Sequence, residues 1–493
     1  MGTFRSKRWQ VVLILGAPIA AFLVWNYWPA GEGHITIGYD TTRITGPVRP
    51  DGTVDYIAYL NNKLGHGVTP ENNAAIPLLK IWGSALLGSA EYSPRQVELL
   101  GLKSVPSDRV ALNEFPVPRT PETSGPVDRE FASKQLLDSL CEKPWSAPEH
   151  PEVVAWLNGN AEGLRTLAEA AARPRFFIPF FSRQASPSLM ECNVPAVPGL
   201  IVPRLLGARA MLRLSEGDIA SAQADVLTLH RLARLYGQCP DLVVQMLAIG
   251  VENHALKTST ALATSSRLNK GQMTSFLAAL ANLPPMPDPL AALEEYERFV
   301  YLDCVGHLAQ RPGRGLDGST DWDYLLRQYN LFWDVLIARY RKADISAKKL
   351  QAAREMSEWL GQPEERFVAF VAKWGGRAAR GLRTKWTTRA TFRIITPVLS
   401  TYSESGLRMA QNLTLAQVAA ALSIYRMQHN AYPKSLDDLT SILGGPVPPD
   451  SFGGKALIYR VTDSGCILYS VGPNGKDDGG DSAKTDDLAV TFP

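Results

Sequence analysis

Residues 404–433 read ESGLRMAQNLTLAQVAAALSIYRMQHNAYP, and the fold turns on their spacing. Leu415, Val418, Leu422 and Tyr425 follow one another at steps of three, four and three, which places them on a single stripe of an α-helix. The spacing predicts a helix from Glu404 to His429. Ala431-Tyr432-Pro433 ends it, since proline lacks an amide proton and pushes the preceding residue out of helical geometry. Ser435-Leu436-Asp437-Asp438-Leu439 then predicts one further short helical turn.

Beyond it, Pro448-Pro449-Asp450-Ser451-Phe452-Gly453-Gly454 leads into a strand over Leu457–Val461. Thr462–Gly465 makes a turn, and Cys466-Ile467-Leu468-Tyr469-Ser470-Val471 is a second strand. Two strands alone are marginal in water, so the hairpin is expected to bury one face against the preceding helix. From Val471 onward the chain is acidic. Asp477, Asp478, Asp481, Asp486 and Asp487 face only Lys476 and Lys484.

Taken in order, Tyr432-Pro433, Asp450-Ser451-Phe452-Gly453 and Leu468-Tyr469-Ser470-Val471-Gly472-Pro473-Asn474-Gly475 resemble the globular part of the major pseudopilin of type II secretion. The likeness covers residues 404–493. It implies a small α+β domain of one long helix and two or three strands, followed by a loop that holds calcium in that family. Ca²⁺ takes six to eight oxygens, and closely spaced aspartates on a glycine-rich loop can converge on one ion. By position, the resemblance implies Val471 as a carbonyl ligand, Asn474 as a side-chain oxygen, and Asp477, Asp478, Asp481 and Asp486 as carboxylates. Asn474 stands where the family has aspartate, which removes one charge. An acidic, solvated tail that binds nothing is the competing reading.

Working back towards the N-terminus, the middle of the chain is rich in helical signals. Helices are expected over Pro151–Ala172, Val202–Ser266, Pro289–Ala309, Asp321–Lys342 and Ser346–Trp359. Glu216-Gly217-Asp218 breaks the second of these, with Asp218 capping the next helix, and Cys239-Pro240-Asp241 starts another. Such hairpins resemble tetratricopeptide units, although no second copy recurs at a fixed period. Residues 31–130 read as mixed short strands and helices: Ile35–Tyr39 alternates, Val54–Lys63 is helical, and Thr69-Pro70-Glu71 starts a helix running to Leu87. Segments Arg49–Tyr56 and Val68–Ala75 also resemble uncharacterised envelope proteins of planctomycete-type bacteria.

At the far end, Arg5, Lys7 and Arg8 precede an apolar run from Trp9 to Trp28. About 20 residues at ~1.5 Å each reach across a bilayer core, and flanking cations keep the short N-terminal tail inside. The reading is an uncleaved anchor at 9–28 behind a cytoplasmic tail at 1–8; a cleaved signal peptide is the alternative. It puts the bulk outside the cytoplasm, on a bacterial inner membrane. The expected architecture is therefore mainly α: a transmembrane helix, an irregular helical ectodomain at 131–400, and the small α+β domain at 404–493.

Composition narrows the function. The 493 residues are 45% hydrophobic and 20% charged with a net charge of +3, which disfavours a nucleic-acid binder. Seven cations and no acid lie between Lys373 and Arg393, a stretch read as a solvated helical face. Five scattered cysteines have no metal-ligand spacing. Gly313–Gly318 matches GxGxxG without a preceding strand, Ser346 and Lys349 form an isolated SxxK, and the seven histidines lie far apart. No catalytic residue emerges. The expectation is a membrane-anchored structural or assembly protein linked to secretion-like machinery, with envelope or secretion proteins as partners. An extracytoplasmic hydrolase or a ligand-binding receptor, with its site in the helical middle, is the alternative.

Overall fold

The computed structural model describes residues 34–88, 93–116, 126–182, 187–192, 201–310, 321–342, 351, 355, 380–462, 465–480 and 486–492, with side chains omitted at 126–130 and 380–399. The expected anchor at 9–28, the helix expected over Ser346–Trp359 apart from Gln351 and Glu355, the GxGxxG stretch and the SxxK pair lie outside the described residues. Among the described residues, no helix is long and apolar enough to cross a membrane.

The chain is mainly helical, with one three-stranded sheet near its C-terminus. Helix α1 is Tyr56–Gly65, capped by the Asp55 carboxylate, which accepts from the Ala58 amide. The strands expected over 34–56 do not form; an isolated bridge joins Val48 to Val54 instead. The reason is local competition. The Gly38 carbonyl accepts from the amides of Thr41, Thr42 and Arg43 and from both threonine hydroxyls, which winds the segment into a turn. Likewise α2 is Ala75–Trp82 rather than a helix from Pro70, because the Asn72 and Asn73 side chains bond the backbone at Thr69, Ala75 and Phe177.

Pro151–Ala172 is two helices, Pro151–Gly159 (α3) and Ala161–Ala171 (α4). Then come Ile201–Glu216 (α5), Ile219–Tyr236 (α6), Leu242–Thr264 (α7) and Lys270–Ala281 (α8). Asp218 caps α6 and Asp241 caps α7, as their positions predict. Next, Pro289–Ala291 runs through a π-helical turn, Ala292–Glu297, into Arg298–Ala309 (α9), and Trp322–Lys342 is α10.

Helix α11 spans Arg380–His429, fifty residues, and so begins well before the expected Glu404. It packs on α7 and α8 and carries the sheet at its far end. Strands Ile458–Thr462 (β1), Gly465–Ser470 (β2) and Leu488–Phe492 (β3) lie antiparallel in the order β1-β2-β3. The residue patterns placed two strands where the resemblance implied two or three; the third is β3, and pairing Cys466 with Phe492 and Leu468 with Val490 makes β2 the central strand.

Two apolar clusters form the interior. One joins α2 to α8 with the last turns of α11 and the sheet, through residues such as Leu205, Leu229, Leu262, Leu422, Leu468 and Phe492. The other gathers Tyr56, Phe180, Tyr296, Phe299, Trp333 and Tyr402 around α9 and α10. Helix α7 serves both, Ile249 facing the second cluster and Val251 the first. Around the predicted stripe of α11, Ala416, Ala419, Ala420 and Ala421 are buried too, and their small side chains let neighbouring helices approach closely.

Candidate functional site

The end module is tied together by Asp450, which is 3% exposed. Its Oδ1 accepts from the Phe452 amide at 2.8 Å and the Ser470 hydroxyl at 3.0 Å, and its Oδ2 accepts from the Val471 amide at 2.9 Å. One buried carboxylate thus links two of the sequence segments singled out above, Asp450–Gly453 and the end of β2. Gln411 on α11 adds a bond from the Ser451 amide at 2.7 Å. The loop is bolted to both the sheet and the long helix.

From Val471 the acidic loop departs. At Gly472 the backbone is left-handed (φ 63°), and a Cβ there would stand 2.0 Å from the Asp486 carbonyl oxygen, so only glycine fits. Asn474 Nδ2 donates to Asp478 at 2.8 Å and to Asp486 at 2.5 Å, while Asn474 Oδ1 accepts from the Lys476 amide at 2.6 Å. Asp478 and Asp486 therefore converge on one point, and the point is occupied by an amide NH₂.

Asp477 is drawn elsewhere. It accepts from the Tyr469 hydroxyl at 2.8 Å and pairs with Arg460 at 3.2 Å. The Tyr469 hydroxyl, the Gly479 amide and Arg460 hold its carboxyl below the usual range. Asp481 lies outside the described residues. Asp487, named in the acidic run but not among the implied ligands, is 1% exposed and accepts from the amides of Asp478 and Gly480. Among the described residues, no three of His, Cys, Asp and Glu form a metal-holding group. Of the six residues implied as calcium ligands, two carboxylates converge, and a donor stands between them.

The helical body holds a second constellation. His230 on α6 faces the Glu252 carboxylate through Nδ1 at 2.9 Å and the Ser259 hydroxyl through Nε2 at 2.9 Å, both partners lying on α7. Arg234 donates to Glu252 at 2.8 Å. Burial pushes the Glu252 carboxyl up, but His230 and Arg234 outweigh it and hold the group below its ordinary value. Serine, histidine and carboxylate in this order are the parts of a hydrolytic triad. Here, however, Ser259, His230 and Glu252 are at most 1% exposed, and Ser259 also donates to the Ala255 carbonyl. A nucleophile must meet its substrate, and this one is sealed. The cluster is a polar staple between two helices.

All five cysteines are free thiols. Burial pushes Cys141, Cys192 and Cys239 up to about 12, so they are inert. No family model, curated protein or solved structure matches this chain.

Proposed function

We propose that the chain is a membrane-anchored, extracytoplasmic structural or assembly protein of a bacterial inner membrane, presenting a pseudopilin-like end module to secretion-like machinery. The observation that supports this reading is α11. Its last turns are buried jointly by the helical body and by the sheet, so the end module is continuous with the body core rather than hung on a linker. Such a joint transmits position, as a spacer or assembly subunit must. The sealed Ser259–His230–Glu252 cluster lends no support to the hydrolase alternative.

The test is cross-linking of the membrane-embedded protein followed by affinity capture. Co-capture of envelope or secretion proteins is the expected result, and capture of none counts against the proposal. Protease added to intact spheroplasts should cut the chain; full protection would overturn its placement. For the acidic loop, the calcium proposal takes Val471, Asp477, Asp478, Asp481 and Asp486 as oxygen donors and requires Asn474 to turn its amide oxygen inward. Melting of the full chain with calcium and with chelator tests it, and equal curves end it.

A further inference from the structure

A cavity of about 330 Å³ lies between the turn at Arg49–Gly52 and helix α9. It is lined by the polar residues Arg49, Asp51, Thr53, Asp303 and His307 and by the apolar Ile35, Ile37, Val54, Leu302 and Leu326. Arg49 is only 8% exposed and its guanidinium is under-used. Nη1 donates to Asp303 at a long 3.3 Å, while Nε and Nη2 are buried and make no hydrogen bond. Nη2 stands 3.6 Å from Asp55, close enough to feel the charge and too far for a good bond.

We propose that this cavity is a binding site for a small, neutral, hydroxyl-rich molecule such as a monosaccharide. The charge balance selects neutrality. One guanidinium already serves Asp303 and Asp55, with Asp51 at the same cavity. An added anion would join several carboxylates around one cation, and an added cation would approach that guanidinium. Hydroxyl groups avoid both penalties, and they donate to Asp51 and Asp303. The apolar lining residues suit the C–H groups of a sugar ring. The volume sits at the lower end of the ~300–1,000 Å³ usual for small-molecule sites, enough for one ring and too little for a chain of them.

The site is independent of the scaffold reading, and its test is separate. Glucose, N-acetylglucosamine and glycerol would be titrated against the full chain by calorimetry and saturation-transfer NMR, with acetate and methylammonium as charged controls. Saturable binding of at least one neutral probe, and of neither ion, is expected. Gly306 lines the cavity, and a Cβ added to it would meet nothing within 4 Å, so Gly306→Leu fills the space without a clash at Cβ. It should weaken binding by at least ~10-fold at unchanged melting temperature, a loss of ~1.4 kcal/mol. Asp51→Asn, at an exposed position, gives a second variant that keeps the fold and should also weaken binding. Absence of saturable binding by every neutral probe, tighter binding of either ion, or unchanged affinity in both variants would overturn the proposal.

Discussion

The helical body and the end module each bury a carboxylate, and they satisfy it by different means. Glu252 in the body is met by side chains, His230 and Arg234, reaching across from the neighbouring helix. Asp450 in the end module is met chiefly by backbone amides, those of Phe452 and Val471, with the Ser470 hydroxyl beside them. The cause lies in the elements. Inside a helix every amide is already committed to a carbonyl four residues back, so a carboxylate on its flank finds only side-chain donors. In a loop the amides are uncommitted, and a single carboxylate can collect several. The body cluster therefore locks two helices together, whereas the loop cluster dictates the path of the chain.

The largest expected effect comes from breaking the body cluster. Glu252→Ala strips the buried Arg234 guanidinium and His230 Nδ1 of their carboxylate partner, and should cost about 3–5 kcal/mol in urea unfolding of the full chain. A cost no greater than that of the Asp450 variant below would end the contrast. Gly472→Ala attacks the loop path itself, through a left-handed φ and the collision with the Asp486 carbonyl. It should cost on the order of 3 kcal/mol, seen first as faster amide exchange across β2 and β3.

Glu297 sharpens the comparison, because it sits between the two solutions. It accepts one backbone amide, that of Leu242 at 3.1 Å, and lies near Asp241. Burial, then the Asp241 charge, push its carboxyl up to about 7 from 4.5, with the Leu242 amide working the other way. A raised folded value makes its favourable contribution complete below 4.5 and lost as pH climbs through about 7. Glu297→Gln should therefore flatten the stability curve between those values and gain roughly 2 kcal/mol at alkaline pH. A variant whose curve still falls across that window would show that some other group titrates there.

Asp450→Asn keeps the shape but trades an ionic acceptor for a donor, and should cost about 1–2 kcal/mol. The smallest effect is expected at Asn474→Asp, which removes the NH₂ bridging Asp478 and Asp486 on an exposed loop. It should cost less than about 1 kcal/mol in chelator and regain it in calcium. Equal melting in both would show that the loop cannot be converted to ion dependence.

Much of the local punctuation was legible beforehand. Asp218 and Asp241 cap the helices their positions announce, Tyr432-Pro433 closes the long helix, and the Cys466–Ser470 strand forms where its pattern puts it. These depend on neighbours a few residues apart, whose geometry is set by the chain itself. The candidate site was only partly legible. The acidic run pointed to the right loop, but Asp477 turns to Tyr469 and Arg460, a choice that exists only once β1 and β2 are paired.

By itself, then, the sequence determined a mainly helical chain with a small sheet at its end, because hydrophobic period, caps and prolines act over single turns. The tertiary structure alone decided that β3 joins β2, that His230 meets Glu252 and Ser259, and that Arg49 lies against Asp303 across 254 residues of chain. Those meetings follow from which apolar faces are buried together, and no local pattern encodes the partner.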